Sequence, residues 1–101
     1  MLPLDPLIHQ PNRLQIMATL YRNRQMAFID LRDTCHLTTG NAGSHLEKLE
    51  AAGYLKSGRL LRDLSFELHY RITQAGVTAF QEYLRELQRL VEENRAPGGP
   101  L

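Results

Sequence analysis

Leu37-Thr38-Thr39-Gly40-Asn41-Ala42-Gly43-Ser44-His45-Leu46-Glu47-Lys48-Leu49-Glu50-Ala51-Ala52-Gly53 is the stretch on which the reading of this chain turns. It opens with a pair of threonines, either of which can accept a backbone N–H as an N-cap. Ala42, Leu46 and Leu49 then fall on one side of a helix, and Gly53 suits the residue just past its end. The spacing predicts a helix over about residues 39–52. Its outward side carries Gly40, Asn41, Gly43 and Ser44, all poor helix formers where a merely structural surface would carry Ala, Glu or Lys. Small side chains let a helix approach something closely.

Upstream, Pro11 precedes Leu14, Met17, Leu20 and Tyr21 at helical spacing, so residues 11–22 read as a first helix, with proline at home in its first turn. Before it, Asp5-Pro6-Leu7-Ile8-His9 reads as a separate turn capped by Asp5. Phe28, Leu31 and Cys35 predict a short second helix, and Leu37 sits in a tight connection to the third. Downstream of Gly53 the period changes. Phe66, Leu68, Tyr70 and Ile72 alternate with Glu67, His69 and Arg71, as a half-buried strand does, and Tyr54–Arg59 is a weaker partner strand. Residues 60–65 between them read as a hairpin tip without a strong two-residue turn signal.

Thr73 caps a last helix, expected over 74–95, in which Val77, Phe80, Leu84, Leu87 and Val91 recur at spacings of three and four. Tyr83 and Leu90 widen that stripe, and Glu82–Arg85 and Glu86–Arg89 are candidate pairs on the wet side. A helix of about twenty residues is near 30 Å long. So small a body cannot cover all of it, so its distal half calls for a partner chain. Pro97 ends the helix, and residues 96–101 read as a disordered tail.

The resulting order is helix, short helix, tight turn, helix, two strands, long helix. That is a mainly α fold with a small β-hairpin, the arrangement of a winged helix-turn-helix over residues 11–73 with its wing at about 54–72. In such a unit the second helix braces the third, which offers its N-terminal half to the major groove of duplex DNA. The segment Leu37–Leu55 resembles the recognition-helix signature of bacterial and archaeal winged-helix regulators related to MarR and ArsR. The resemblance continues in Tyr70-Arg71-Ile72-Thr73-Gln74-Ala75-Gly76 and in Leu7-Ile8-His9-Gln10-Pro11-Asn12-Arg13-Leu14. It implies a homodimeric transcriptional regulator on a pseudo-palindromic operator. It also implies dimer contacts from the first and last helices, and the candidate dimer residues are Leu7 and Ile8 in the N-terminal segment 1–10 and Phe80, Tyr83, Leu84, Leu87, Leu90 and Val91 in the last helix.

The candidate DNA contacts are Thr38, Thr39, Gly40, Asn41, Gly43 and Ser44 in the groove, with Lys48, Lys56, Arg59, Arg62 and Arg71 on phosphates. One departure bears on mechanism. The relatives carry Gly-Arg-Arg at the hairpin tip, whereas here the tip is Asp63-Leu64-Ser65, so a tip-arginine contact does not carry over. Arg59 and Arg62 can reach phosphates from the wing's flank, while Leu60, Leu61 and Leu64 make an apolar surface suited to a partner subunit or ligand.

With 12 Lys and Arg against 11 Asp and Glu, bulk charge argues little for a polyanionic partner, so distribution decides. Arg13, Arg22 and Arg24 fall in one acid-free stretch and Lys56, Arg59 and Arg62 in another, both candidate phosphate-facing surfaces. The near-neutral balance and leucine-rich wing motivate an alternative, a winged-helix protein–protein adaptor with weak or no DNA binding. Cys35, His36 and His45 invite a metal site, but Cys35 belongs to the apolar stripe of helix 2 and nothing is spaced to complete a ligand set. His45 reads as a packed side chain. No nucleophile with a placed base, phosphate loop or poised carboxylate pair is present, so no enzyme, cofactor or metal is expected. The lone cysteine and the absence of a signal-like or membrane-spanning apolar run lead us to expect a soluble cytoplasmic protein, with no effector pocket visible.

Overall fold

Four helices and a three-stranded antiparallel sheet account for residues 4–95, which the computed structural model describes. The expectations about the first three residues and the tail at 96–101 lie outside the described residues. The elements are α1 (Pro11–Asn23), β1 (Gln25–Ala27), α2 (Phe28–Thr34), α3 (Thr39–Ala51), β2 (Leu55–Arg62), β3 (Ser65–Ile72) and α4 (Gln74–Glu93).

The helix boundaries follow from local chemistry. The Gln10 side chain accepts the Arg13 N–H at the start of α1, with Pro11 in its first turn. Thr38 caps α3 by accepting the Asn41 N–H at 3.1 Å, and Thr73 caps α4 by accepting the Gly76 N–H at 3.0 Å. At the far end of α3, Tyr54 N donates to the Leu49 carbonyl and Gly53 N to the Glu50 carbonyl, with Gly53 at φ 83°. That is a Schellman stop, which needs a residue tolerant of left-handed backbone at Gly53. The N-terminal turn also forms as expected: Asp5 Oδ1 accepts the Leu7 N–H at 2.9 Å, and the Asp5 carbonyl accepts from His9 N.

Two expectations about the sheet need correction. A third strand exists: Gln25–Ala27 pairs with Arg71–His69, so the sheet order is β1-β3-β2. Three residues are too few to show a period of two, which is why the strand leaves no pattern in sequence. The hairpin is also longer and tighter than a six-residue tip implies. Both strands have eight residues and are joined through Asp63 and Leu64, at φ 49° and 66°. These are type I′ angles, ordinarily the province of Asn-Gly.

The core lies where every element contributes. Ile8, Ile16, Met17, Leu20, Leu31, Leu46, Leu49, Leu55, Tyr70, Ile72, Phe80 and Tyr83 form one buried cluster. Each large aliphatic side chain there contributes roughly 1.5–3 kcal/mol over an exposed position. Cys35 is buried in it, and burial pushes its thiol up from the ordinary range, the behaviour of a packed residue. The proximal half of α4 packs on α1 through Phe80 and Tyr21, whose rings are 5.0 Å apart, and on the N-terminal turn through Tyr83, whose hydroxyl lies 2.8 Å from His9 Nδ1. The distal half is covered only in part, with Leu84 exposed and Leu87, Leu90 and Val91 half-buried. The radius of gyration is 15.8 Å with a longest extent of 60 Å. A compact domain of this length has about 13 Å.

Candidate nucleic-acid interface

The buried stripe of α3, Ala42, Leu46 and Leu49, fixes what its other side presents. Gly40, Ser44 and Glu47 recur at i, i+4 and i+7, which places them on one ridge directly opposite that stripe, and all three are exposed. Asn41 and Lys48 flank the ridge on one side and Gly43 on the other. A Cβ built on Gly40 or Gly43 meets nothing within 4 Å, so the missing side chains leave open surface and serve no internal packing. The face is small, polar and uncovered from Gly40 to Ser44, with one carboxylate, Glu47, farther along it. It also lies at the positive end of the helix dipole, where the first N–H groups of the helix suit an anionic partner.

Further cations lie on α3 itself and on the hairpin, with Lys56 and Arg71 on the face of the sheet opposite the one that Leu55 and Ser57 turn toward the core and α3. Lys48, Lys56, Arg59 and Arg71 are exposed, and among the described residues none of them has an ion-pair partner. Lys56 stands directly opposite Arg71 across β2 and β3, with Gln25 on the other side of Arg71 in β1. Like charges directly opposite on a sheet are destabilising. A phosphate between them would relieve that repulsion.

Such an arrangement, a helix with a bare polar ridge braced from behind and followed by a cationic hairpin, has known counterparts. Residues 12–91 match the family described as winged helix DNA-binding domain. The chain belongs to that family. The winged-helix chain is 32% identical over 78 residues to an uncharacterized protein of Methanocaldococcus jannaschii, covering 77% of this chain and 85% of that one. A transcriptional regulator homologue from Pyrococcus horikoshii has a similar structure, at TM-score 0.81 and 28% identity with 86% of each chain covered. A homodimeric winged helix-turn-helix DNA-binding domain from Mycobacterium bovis, a possible ArsR-family regulator, shares the fold at TM-score 0.70 and 16% identity, covering 89% of this chain and 80% of that one. The resemblance to MarR- and ArsR-type regulators therefore stands, as does the winged-helix fold.

Against this frame, the winged-helix chain exposes Thr38, Thr39, Gly40, Asn41, Ser44, Lys48, Lys56, Arg59, Arg62 and Arg71, with Gly43 half-exposed. Thr38 combines exposure with its capping bond, so its oxygen is already an acceptor. Arg62 does not stand free: its Nη1 lies 3.6 Å from Glu67 Oε2, an oxygen that His69 Nε2 also approaches at 3.4 Å. Among the upstream arginines, Arg13 is turned inward and is not a surface cation. Its Nε donates to the Leu7 carbonyl at 2.6 Å and its Nη1 to His45 Nδ1 at 3.2 Å. His45 is thereby the packed side chain expected, and its pKa is held below the ordinary 6.5 by desolvation first, then by Arg13 and Lys48.

The expected dimer residues divide. Ile8, Phe80 and Tyr83 are buried in the chain's own core, a correction to their assignment to a partner-facing surface: α1 and the N-terminal turn already cover them. Leu84 is 41% exposed, and Leu7, Leu87, Leu90 and Val91 are half-covered. Of the two expected ion pairs on α4, Glu86–Arg89 forms at 3.5 Å. Two further residues stand at this candidate surface without a sequence signal. Glu47 lies on the ridge itself, legible only once the buried stripe is fixed, and Arg32 reaches from α2 to Thr39, the first residue of α3. The wing beyond its cationic base is apolar, with Leu61, Leu64 and Phe66 exposed and Leu64 98% so. Among the described residues no group of three or more metal-ligating side chains gathers, and no helix is long and apolar enough to cross a membrane.

Proposed function

We propose that this chain is a transcriptional regulator that binds duplex DNA sequence-specifically as a homodimer, inserting α3 into the major groove of each half of a pseudo-palindromic operator. The observation that carries the reading is the bare ridge of α3, where Gly40 and Ser44 stand uncovered opposite a fully buried stripe. Thr39, Asn41 and Ser44 are short enough to hydrogen-bond base edges or phosphates while the backbone stays close. Lys48 on α3 and Lys56, Arg59 and Arg71 on the hairpin supply phosphate contacts. The partner surface is the distal half of α4, where Leu84 is exposed and Leu87, Leu90 and Val91 are only half covered by the chain itself. Membership of a DNA-binding family and the likeness to a transcriptional regulator homologue support the reading. No catalytic role is part of it.

Selection of bound duplexes from a random pool tests it directly. A two-fold symmetric consensus with half-site centres about 34–36 Å apart is expected for a dimer with one recognition helix per half-site. The exposed Leu61, Leu64 and Phe66 favour the second reading, a protein–protein adaptor. Salt separates the two: duplex affinity that is negligible even at low ionic strength selects the adaptor, because non-specific DNA binding is mainly counterion release.

A further inference from the structure

Arg32 projects from α2 across the mouth of the turn to the first residue of α3. Its Nη1 donates to Thr39 Oγ1 at 3.1 Å, and its Nε donates to Asp33 Oδ1 at 2.9 Å. The guanidinium is thus held on two edges at the boundary between the protein and the ridge, with the Arg32 side chain 30% exposed. A hydroxyl has one hydrogen to give and two lone pairs to receive with. Once a cationic N–H occupies one lone pair of Thr39, the hydroxyl hydrogen and the remaining lone pair both point away from Arg32, and the cation polarises the group into a better donor and a poorer acceptor. Thr38 is polarised in the same sense, since its oxygen accepts the Asn41 N–H.

We propose that Arg32 is a positioning residue that sets base preference: by engaging Thr39, it biases the leading edge of α3 toward donating hydrogen bonds. Such a surface accepts purine N7, guanine O6 and thymine O4, and disfavours the exocyclic amines of adenine and cytosine, which are themselves donors. The inference rests on α3 facing DNA. It differs from an ordinary phosphate contact in that the arginine acts through a neighbouring hydroxyl, and its charge is shared with Asp33.

The experiment compares the unaltered chain with Arg32→Met, Thr39→Val and the double variant on a panel of duplexes carrying each base pair at each position of the selected site. Arg32→Met should relax the preference at the positions beneath the start of α3 by about five-fold or more, the lower end of what one good side-chain contact discriminates. The salt slope should stay unchanged, the effect should vanish in the Thr39→Val background, and Arg32→Lys, which keeps a donor, should restore part of the preference. A uniform loss on all duplexes with the salt slope reduced by about one would identify a phosphate contact instead and overturn the proposal. Additive losses from the two single variants would overturn it as well. Should Arg32→Met not fold, Thr39→Val alone must shift preference at the same positions, and failure to do so sinks the proposal. If the unaltered chain binds no duplex at low salt, the DNA reading falls and this inference with it. If it binds and Arg32 shows no coupling to Thr39, only the inference falls.

Discussion

Replacing both Gly40 and Gly43 by alanine separates what α3 needs to fold from what it needs to work. A Cβ at either position meets no atom within 4 Å, and neither glycine has a positive φ. The change therefore carries no steric or conformational penalty, and helix propensity alone decides the stability effect. Gly43, inside the helix, gains about 0.8–1.0 kcal/mol as alanine, and Gly40, in the first turn, gains less. The sum is roughly 1–2 kcal/mol, and each kcal/mol raises the melting temperature of a domain of this size by about 4–8 °C. Binding should move the opposite way. Gly40 sits on the ridge directly opposite the buried stripe, so its new methyl group stands between the helix backbone and the groove floor. Lengthening the contacts of Asn41 and Ser44 forfeits about 1–3 kcal/mol, on the order of five- to a hundred-fold in affinity for the selected duplex. Thermal melting by circular dichroism and fluorescence anisotropy on one sample give both numbers. A variant that melts higher and binds as tightly as the unaltered chain would refute the argument that the missing side chains serve close approach.

Gly76→Ala should do the reverse of what propensity predicts, because the added Cβ comes within 3.0 Å of the Tyr54 carbonyl, which Thr73 N already holds in place. Overpacking of this kind costs about 1–3 kcal/mol, so a melting temperature lowered by about 5 °C or more is expected, read by calorimetry. The surroundings of His45, with Arg13 and Asn12 from α1 and Lys48 on its own helix, favour its neutral form. A pKa below its unfolded value means the unfolded chain binds the proton more readily, so stability falls as pH drops through and below 6.5. Thermal melts from neutral pH to about pH 5 should show this loss shrinking in His45→Gln. Leu84→Glu with Leu90→Glu should yield a folded monomer by light scattering at concentrations where the unaltered chain is a dimer. Persistence of the dimer would move the interface off α4.

The parts of this molecule that could be read in sequence are those whose signals are local. The bounds of α3 follow from a cap at Thr38 and a left-handed stop at Gly53, chemistry contained within the helix and its flanks. The exposure of Asn41, Ser44, Lys56 and Arg71 follows from the same periodicities. β1 was not legible because Gln25–Ala27 is defined only by its pairing with Arg71–His69, far along the chain. The tip was not legible because Asp63-Leu64 adopts angles for which the sequence holds no asparagine or glycine, with the registered strands enforcing them. Ile8, Phe80 and Tyr83 were placed at a partner surface because an apolar stripe looks the same whether its cover is the chain itself or a second copy. Arg32 escaped because its significance is a single bond to a residue on another helix.

β3 runs without a loop into the cap of α4: Ile72 is its last residue, Thr73 the cap and Gln74 the first of the helix. At that seam Thr73 N donates to the Tyr54 carbonyl, Thr73 Oγ1 donates to the Gly53 carbonyl at 2.6 Å, and Ile72 N donates to the Arg24 carbonyl, which fastens hairpin, long helix and α1 at one point. There is no slack there to absorb rotation. A torque applied to the far end of α4 would swing the wing as one stiff lever, so the geometry of that helix governs how far the cationic base of the hairpin reaches.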